Sequence, residues 1–378
     1  MNRKDRVMRK NWLHADIETP AVLVHESILK QNIASMAAFS KANGVDLRPH
    51  IKTHKLIPIA RMQLEAGAIG ITTAKLGEAE VMAEHGITDI LIAYPMVGKG
   101  KLERLEKLMN RAKAVTVLDG LEQAQALSQF AVDRGIRFRV LLEIDTGLKR
   151  CGVQPFQEAL GVYRELAKIP GICLNGILTH AGHAYGASGA EQVRKIAQEE
   201  GSTMVETAAL LRKNGFEVSA VSVGATPTVR ISGQVQGVTE IRPGNYVFND
   251  LTQVRLGAAT EEQCALRVAA RVVSQPTSDR LIIDAGAKTL ALDQGAHGTS
   301  GVSGFGRVIG HPEITIARLS EEHGILQVHG ATSLRVGDII EIIPNHSCPV
   351  VNLTDQVFVV SEGKIVDVWK VDARGKSS

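Results

Sequence analysis

From Thr19 to about Asp250, short β-branched runs alternate with amphipathic stretches of helical length. The runs Val45–Ile51, Ile69–Thr73, Ile90–Tyr94, Ala114–Leu118, Arg139–Asp145, Cys173–Thr179, Val218–Val223 and Val238–Arg242 predict eight strands. Between them, helical periodicity predicts Ser27–Ala42, Ile57–Ala66, Leu76–His85, Leu102–Arg111, Leu121–Arg134, Gln157–Ala167 and Ala190–Lys213. Eight strands separated by helices is the count of a (β/α)8 TIM-type barrel. An open doubly wound sheet would need a GxGxxG turn after its first strand, and none is present. After Asp250 the rhythm changes to strands and turns: Ala265–Val273, Arg280–Ala285, Ile314–Leu319, Gly324–Val328, Ile339–Ile343, Gln356–Ser361 and Lys364–Val371. The expected fold is therefore α/β: a barrel over 25–250 and a second, mainly β domain formed by 1–24 and 251–378.

Composition narrows the function classes. Of 378 residues, 44% are hydrophobic and 22% charged, enough for two domains with cores of their own. Forty-three Lys and Arg against 40 Asp and Glu leave a net charge of +3 with the signs mixed, so neither nucleic acid nor an anionic membrane is an expected partner. Met1–Leu13 is polar and no apolar run reaches membrane-spanning length, which points to a cytoplasmic protein. The cysteines Cys151, Cys173, Cys264 and Cys348 are scattered with no CxxC pair, so a disulfide framework and a zinc ribbon are both unsupported.

In a barrel the chemistry sits just past the carboxyl ends of the strands. There the run Arg48-Pro49-His50-Ile51-Lys52-Thr53-His54-Lys55 places His50, Lys52 and His54 on one face of an extended chain. An inward lysine of lowered pKa is an imine-forming amine, while the same spacing also suits a solvated basic turn. Ser222–Thr228 and Arg242–Tyr246 are small-residue turns on the late strands, where backbone N–H groups can approach phosphate. His180 and His183 follow another strand and are candidate bases or packed second-layer groups. His346 and Cys348, two apart on an extended segment, can grip one ion and leave positions for water and substrate, or form a buried structural pair. His323 is a further candidate in the smaller domain.

The run at 48–55, preceded by Thr19-Pro20-Ala21-Val22-Leu23-Val24, resembles the start of the D-threonine aldolase and D-serine dehydratase group. That group belongs to the alanine-racemase-like (fold type III) pyridoxal-phosphate enzymes. Similar stretches recur at 142–153, 179–186, 222–228, 239–250, 282–288, 322–324 and 343–353. The resemblance implies a pyridoxal 5'-phosphate Schiff base on Lys52 rather than Lys55 and Arg150 beside the phenolic oxygen. It implies Arg242 facing the pyridine nitrogen, and Tyr185, Gly224, Thr226, Gly244, Asn245 and Tyr246 around the cofactor. It also implies a divalent ion on His346 and Cys348; the soft thiolate leans toward Zn²⁺ over Mn²⁺ or Mg²⁺. The expected substrate is a small D-3-hydroxy amino acid and the expected assembly a homodimer. His346-Ser347-Cys348 looks like the dehydratases and the tail 352–375 more like the aldolases, and the aldolase is the leading expectation. A racemase and a non-catalytic cofactor carrier are the alternatives, although the β domain argues against a carrier.

Overall fold

The computed structural model describes residues 17–299 and 301–378; the polar Met1–Leu13 stretch lies outside them. The chain forms two compact units, one made of the described residues through Asn32 together with Asn245–Arg374, the other of Ile33–Gly244 with Gly375–Ser378.

In the second unit eight strands form one all-parallel sheet: Asp46–Leu47, Ile71–Thr73, Asp89–Pro95, Lys113–Leu118, Phe138–Glu143, Ile172–Leu178, Ala220–Val223 and Glu240–Ile241. The first strand pairs with the last. It meets the second through Ile69 N to Leu47 O (2.9 Å), Thr72 N to Pro49 O (2.8 Å) and a His50–Thr72 bridge, so the ring closes as the barrel rhythm predicts. Parallel strands covered on both faces read as continuous apolar runs, and Ile90, Leu91 and Ile92 are all buried. Leu91, Val117, Leu141 and Leu178, with Val115 and Ala220, make a layer of the barrel core. Outer helices follow their periodicity: Lys99–Met109 buries Leu102, Leu105 and Leu108, and Leu121–Arg134 stops at Gly135, whose φ of 65° ends the helix. A cavity of about 320 Å³ at the amino ends of the strands is lined by Arg48, Asp89, Lys113, Arg139, Asn175 and Glu240. There Arg48 bridges Glu240 at 2.7 Å and also pairs with Asp89.

Gly176, in the strand Ile172–Leu178, has φ +143°, and a Cβ there would lie 2.1 Å from the Ala220 carbonyl oxygen of the neighbouring strand. Backbone on backbone leaves no side chain to yield, so Gly176→Ala is expected to destabilise the protein by more than about 3 kcal/mol. Urea denaturation measures it; an unchanged midpoint would mean that the two strands part without cost.

The first unit is a nine-stranded, mainly antiparallel sheet. Its longest path runs Ile314–Leu319, Gly324–Val328, Arg280–Ile283, Leu266–Thr277, Ala21–His25, Gln356–Ser361, Lys364–Lys370. Ile339–Ile343 pairs with both Leu266–Thr277 and Arg307–Val308. Ala21–His25, antiparallel to one neighbour and parallel to the other, draws an early stretch of chain into a sheet otherwise built from the last third. Among the described residues no helix is long and apolar enough to cross a membrane.

Candidate active site

The segment carrying Lys52 departs from the alternation expected of it. The strand ends at Leu47, and Ile51–Thr53 winds into a 3₁₀ turn, with the Ile51 carbonyl accepting from His54 N (3.0 Å) and Lys55 N (2.8 Å). Pro49 brings no N–H to a ladder, and His50 Nδ1 accepts the Lys52 N–H at 3.3 Å as an N-cap. His50, Lys52 and His54 therefore do not share one strand face. Lys52 is half-buried, whereas His54 is fully buried with Nδ1 accepting the Leu56 N–H at 3.1 Å. Lys55, with φ 55°, is in an ion pair with the buried carboxylate of Glu78 at 3.3 Å.

Three strand ends bring charge together around Lys52. Burial, then the charges of Lys52, His180 and Arg242, push His50 well below its ordinary range and keep it neutral. Arg242 is 6% exposed and donates to Ser222 Oγ and to the Thr179 carbonyl. Burial lowers its pKa against the pull of Glu240, Glu200 and Glu143. His180 Nδ1 lies 2.9 Å from the Gly224 carbonyl oxygen, and Gly224 N donates to the buried Glu200 Oε1 at 2.9 Å. Gly224 passes so close to the strand beside it that a Cβ would lie 2.9 Å from Arg242 N. Thr226 is buried in the same loop, and Gly244 sits against the His50 carbonyl, 3.0 Å from where its Cβ would be.

Arg150 is exposed, close to Glu143 and hydrogen-bonded to the Cys151 thiol. Tyr185 is buried in the 3₁₀ turn Gly182–Gly186, which also carries His183. Burial lowers the His183 pKa despite Asp145 and Glu199, so its ring is neutral near pH 7.

Two buried atoms at these strand ends, Thr73 Oγ1 and His183 Nδ1, have no hydrogen-bond partner among the described residues. Buried polar atoms are nearly always satisfied, so both suit a site completed by a polar ligand. With a lysine amine, two arginines, a small-residue loop and a buried hydroxyl, the donor set fits an anionic aldehyde cofactor such as pyridoxal phosphate.

Asn245 and Tyr246 fall in the sheet-bearing unit. The Asn245 amide donates to Asp250 Oδ2 at 2.7 Å and stands 3.9 Å from Cys348 Sγ, and Tyr246 is buried. His346 and Cys348 are brought together, but not on an extended segment. His346 is the N-cap of the helix Ser347–Leu353 and Cys348 lies in its first turn. The helix starts there because the buried Asp250 carboxylate accepts the Ser347 N–H at 2.9 Å, satisfying an end donor from a distant part of the chain. Burial raises the Asp250 pKa, opposed chiefly by His346.

His346 is in hydrogen-bond contact with Cys348, and its Nδ1 is 2.7 Å from Asp293 Oδ2. Burial lowers the His346 pKa, but Cys348, Asp293 and Asp250 outweigh it and raise the value to about 10. Among the described residues no three His, Cys, Asp or Glu gather as a ligand set. An imidazole and a thiolate side by side nonetheless fit one borderline-soft divalent ion with open positions. His323 is exposed in the turn before Gly324–Val328. Neither Asp293 nor Asp250 is signalled by spacing, because they join His346 across 53 and about 96 residues of chain.

His54 gives this region a pH dependence. Burial pushes its pKa from 6.5 down to about 3, so between those values the unfolded chain binds a proton that the folded chain refuses. Stability contributed by the neutral ring is complete above pH 6.5 and falls as pH drops toward 3. Going from pH 7 to pH 5 should remove about 2 kcal/mol through this residue alone. Urea unfolding of wild type and His54→Gln at the two pH values tests this, the variant losing less; equal losses would assign the dependence elsewhere.

A family model described as "Alanine racemase, N-terminal domain" matches residues 24–251, and one described as "Putative serine dehydratase domain" matches residues 265–360. D-threo-3-hydroxyaspartate dehydratase of Delftia sp. (strain HT23) is 36% identical over 349 residues, covering 88% of this chain and 91% of that protein. The crystal structure of D-threonine aldolase from Filomicrobium marinum superposes with a TM-score of 0.89 at 32% identity, covering 96% of this chain and 97% of that one. A cysteine-to-alanine mutant of D-threo-3-hydroxyaspartate dehydratase in its metal-free form superposes with a TM-score of 0.87 at 34% identity, covering 94% of this chain and 97% of that one. With the barrel and the β unit both matched over nearly their whole length, the chain belongs to the D-threonine aldolase and D-serine dehydratase-like family of alanine-racemase-like proteins.

Proposed function

We propose that the chain is a pyridoxal-phosphate- and divalent-metal-dependent lyase that cleaves D-3-hydroxy amino acids by a retro-aldol reaction to glycine and an aldehyde. The observation that carries the reading is the half-buried Lys52 at a strand end, set among a neutral His50, His180 and the encased Arg242. In this reading Lys52 holds the cofactor, Arg150 faces its phenolic oxygen, and Gly224, Thr226 and Gly244 offer backbone and hydroxyl donors to its phosphate, with Tyr185 alongside. The bound cofactor supplies a sink for the electron pair left at Cα when a bond there breaks. An ion on His346 and Cys348, Zn²⁺ before Mn²⁺ or Mg²⁺, supplies Lewis acidity toward the 3-hydroxyl.

Retro-aldol cleavage needs a base for the hydroxyl proton, and His183, neutral with a buried nitrogen unpartnered among the described residues, suits that task. Arg242 keeps its proton, so facing a bound cofactor's pyridine nitrogen it would leave that nitrogen unprotonated. Elimination to a 2-oxo acid and ammonia is the second reading, favoured by the thiolate ligand Cys348 and by the 36%-identical dehydratase. There Lys52, once free, removes the Cα proton. A product assay on D-threonine and D-threo-3-hydroxyaspartate separates glycine plus aldehyde from 2-oxo acid plus ammonia. Ammonia without glycine selects elimination, and no turnover of any D-3-hydroxy amino acid rejects both.

A further inference from the structure

The His346 and Cys348 side chains are held by residues outside the pair itself. His346 Nδ1 is 2.7 Å from Asp293 Oδ2, a carboxylate on the loop that follows the short helix Ala287–Leu290. That loop is pinned by the residue immediately before the histidine: Asn345 Nδ2 donates to the Asp293 backbone oxygen at 2.9 Å and to the Gly304 oxygen at 2.9 Å. Asn345 is itself 1% exposed, and its carbonyl takes the Thr252 hydroxyl at 2.7 Å. Two consecutive residues thus grip Asp293 at two points, one at its backbone and one at its carboxylate. Such a double hold fixes the position of the carboxylate against the ring.

A neutral imidazole has one donor and one acceptor nitrogen, and whichever nitrogen faces a carboxylate keeps the proton. With Nδ1–H given to Asp293, Nε2 is the nitrogen left to bind an ion that displaces its proton. Carboxylates in this position orient ligating histidines and raise their basicity. We propose that Asp293 is a positioning residue that sets the tautomer and orientation of His346 so that Nε2 is presented to a divalent ion, with Asn345 holding Asp293 in register. The proposal rests on the reading that His346 and Cys348 hold that ion.

The test uses the full-length, cofactor-loaded protein stripped of metal and titrated with Zn²⁺ against a competing chelator. Co²⁺ serves as a second probe, its thiolate and ligand-field absorbance reporting the ligands directly. Asp293→Leu removes the acceptor; Asp293→Asn keeps an oxygen able to accept the Nδ1–H but not the charge. Affinity for Zn²⁺ should fall about 10- to 100-fold in the leucine variant and by an intermediate amount in the asparagine variant. Cofactor absorbance should match wild type in both, because Asp293 belongs to the sheet-bearing unit and not to the barrel unit that carries the proposed cofactor residues Lys52 and Arg242. Zn²⁺ affinity equal to wild type in Asp293→Leu would overturn the proposal, as would an asparagine variant no better than leucine. Should the leucine variant fail to fold, the asparagine variant decides: wild-type affinity there overturns the proposal and a partial loss supports it. A wild-type protein that binds neither ion overturns the metal reading and this proposal together, whereas wild-type binding with unaffected variants overturns this proposal alone.

Discussion

Lys52→Ala should yield a folded, colourless protein whose lyase activity is lower by at least about 10³-fold, since no other amine can replace the one proposed to hold the cofactor. The comparison that gives this weight is Lys55→Ala. Lys55 is the other lysine of the same turn, and it is engaged with Glu78, whose side chain is 2% exposed. Glu78 also accepts the N–H groups of Ala74 and Lys75 at the start of the helix Leu76–Glu84. Removing Lys55 leaves that buried carboxylate without its cation, so the second variant should lose stability, on the order of 2 kcal/mol, and keep its colour. Visible absorbance after extensive dialysis, borohydride trapping and urea denaturation separate the two effects. A colourless Lys55→Ala beside a coloured Lys52→Ala would move the attachment site to Lys55.

The second large effect is expected at the other unit. His346→Ala, Cys348→Ala or a chelator should each lower lyase activity by about 10²-fold or more while the cofactor stays bound, because in the proposed reading the ion would polarise a substrate hydroxyl and not hold the phosphate. In the proposed site each substitution removes one of two protein ligands, so affinity for the ion should drop steeply. Adding Zn²⁺ or Mn²⁺ back should restore chelated wild type and leave both variants poorly active. Full activity in wild type shown by elemental analysis to be free of metal would return His346 and Cys348 to a structural role.

Much of the fold is legible along the chain. The predicted helix Ala190–Lys213 has the observed bounds, and Ile314–Leu319, Gly324–Val328, Ile339–Ile343 and Gln356–Ser361 appear as read. Local hydrophobic periodicity decides these elements, and tertiary contacts agree with it. The departures have local causes of a different kind. Val45–Ile51 reads as one strand because its residues alternate, yet the continuous strand ends at Leu47 and only a single bridge at His50 follows, since Pro49 lacks a donor and His50 caps a 3₁₀ turn. The segment of His346 and Cys348 reads as extended from the sequence; a carboxylate nearly a hundred residues upstream makes it a helix start.

What the sequence by itself determined is the alternation that makes a barrel, the switch to strands after Asp250, and the residue types at the strand ends, Lys52 and the His346–Cys348 pair among them. Those properties are local, carried by spacing and side-chain chemistry within a few residues. Only the tertiary structure decided the state of these groups: His50 is held neutral by burial and by cations from other strand ends, and Lys55 is committed to Glu78. Arg242 is encased by Ser222 and Thr179, and His346 is turned by Asp293. Charge, tautomer and orientation depend on burial and on partners tens of residues away, and these exist only once the chain has closed on itself.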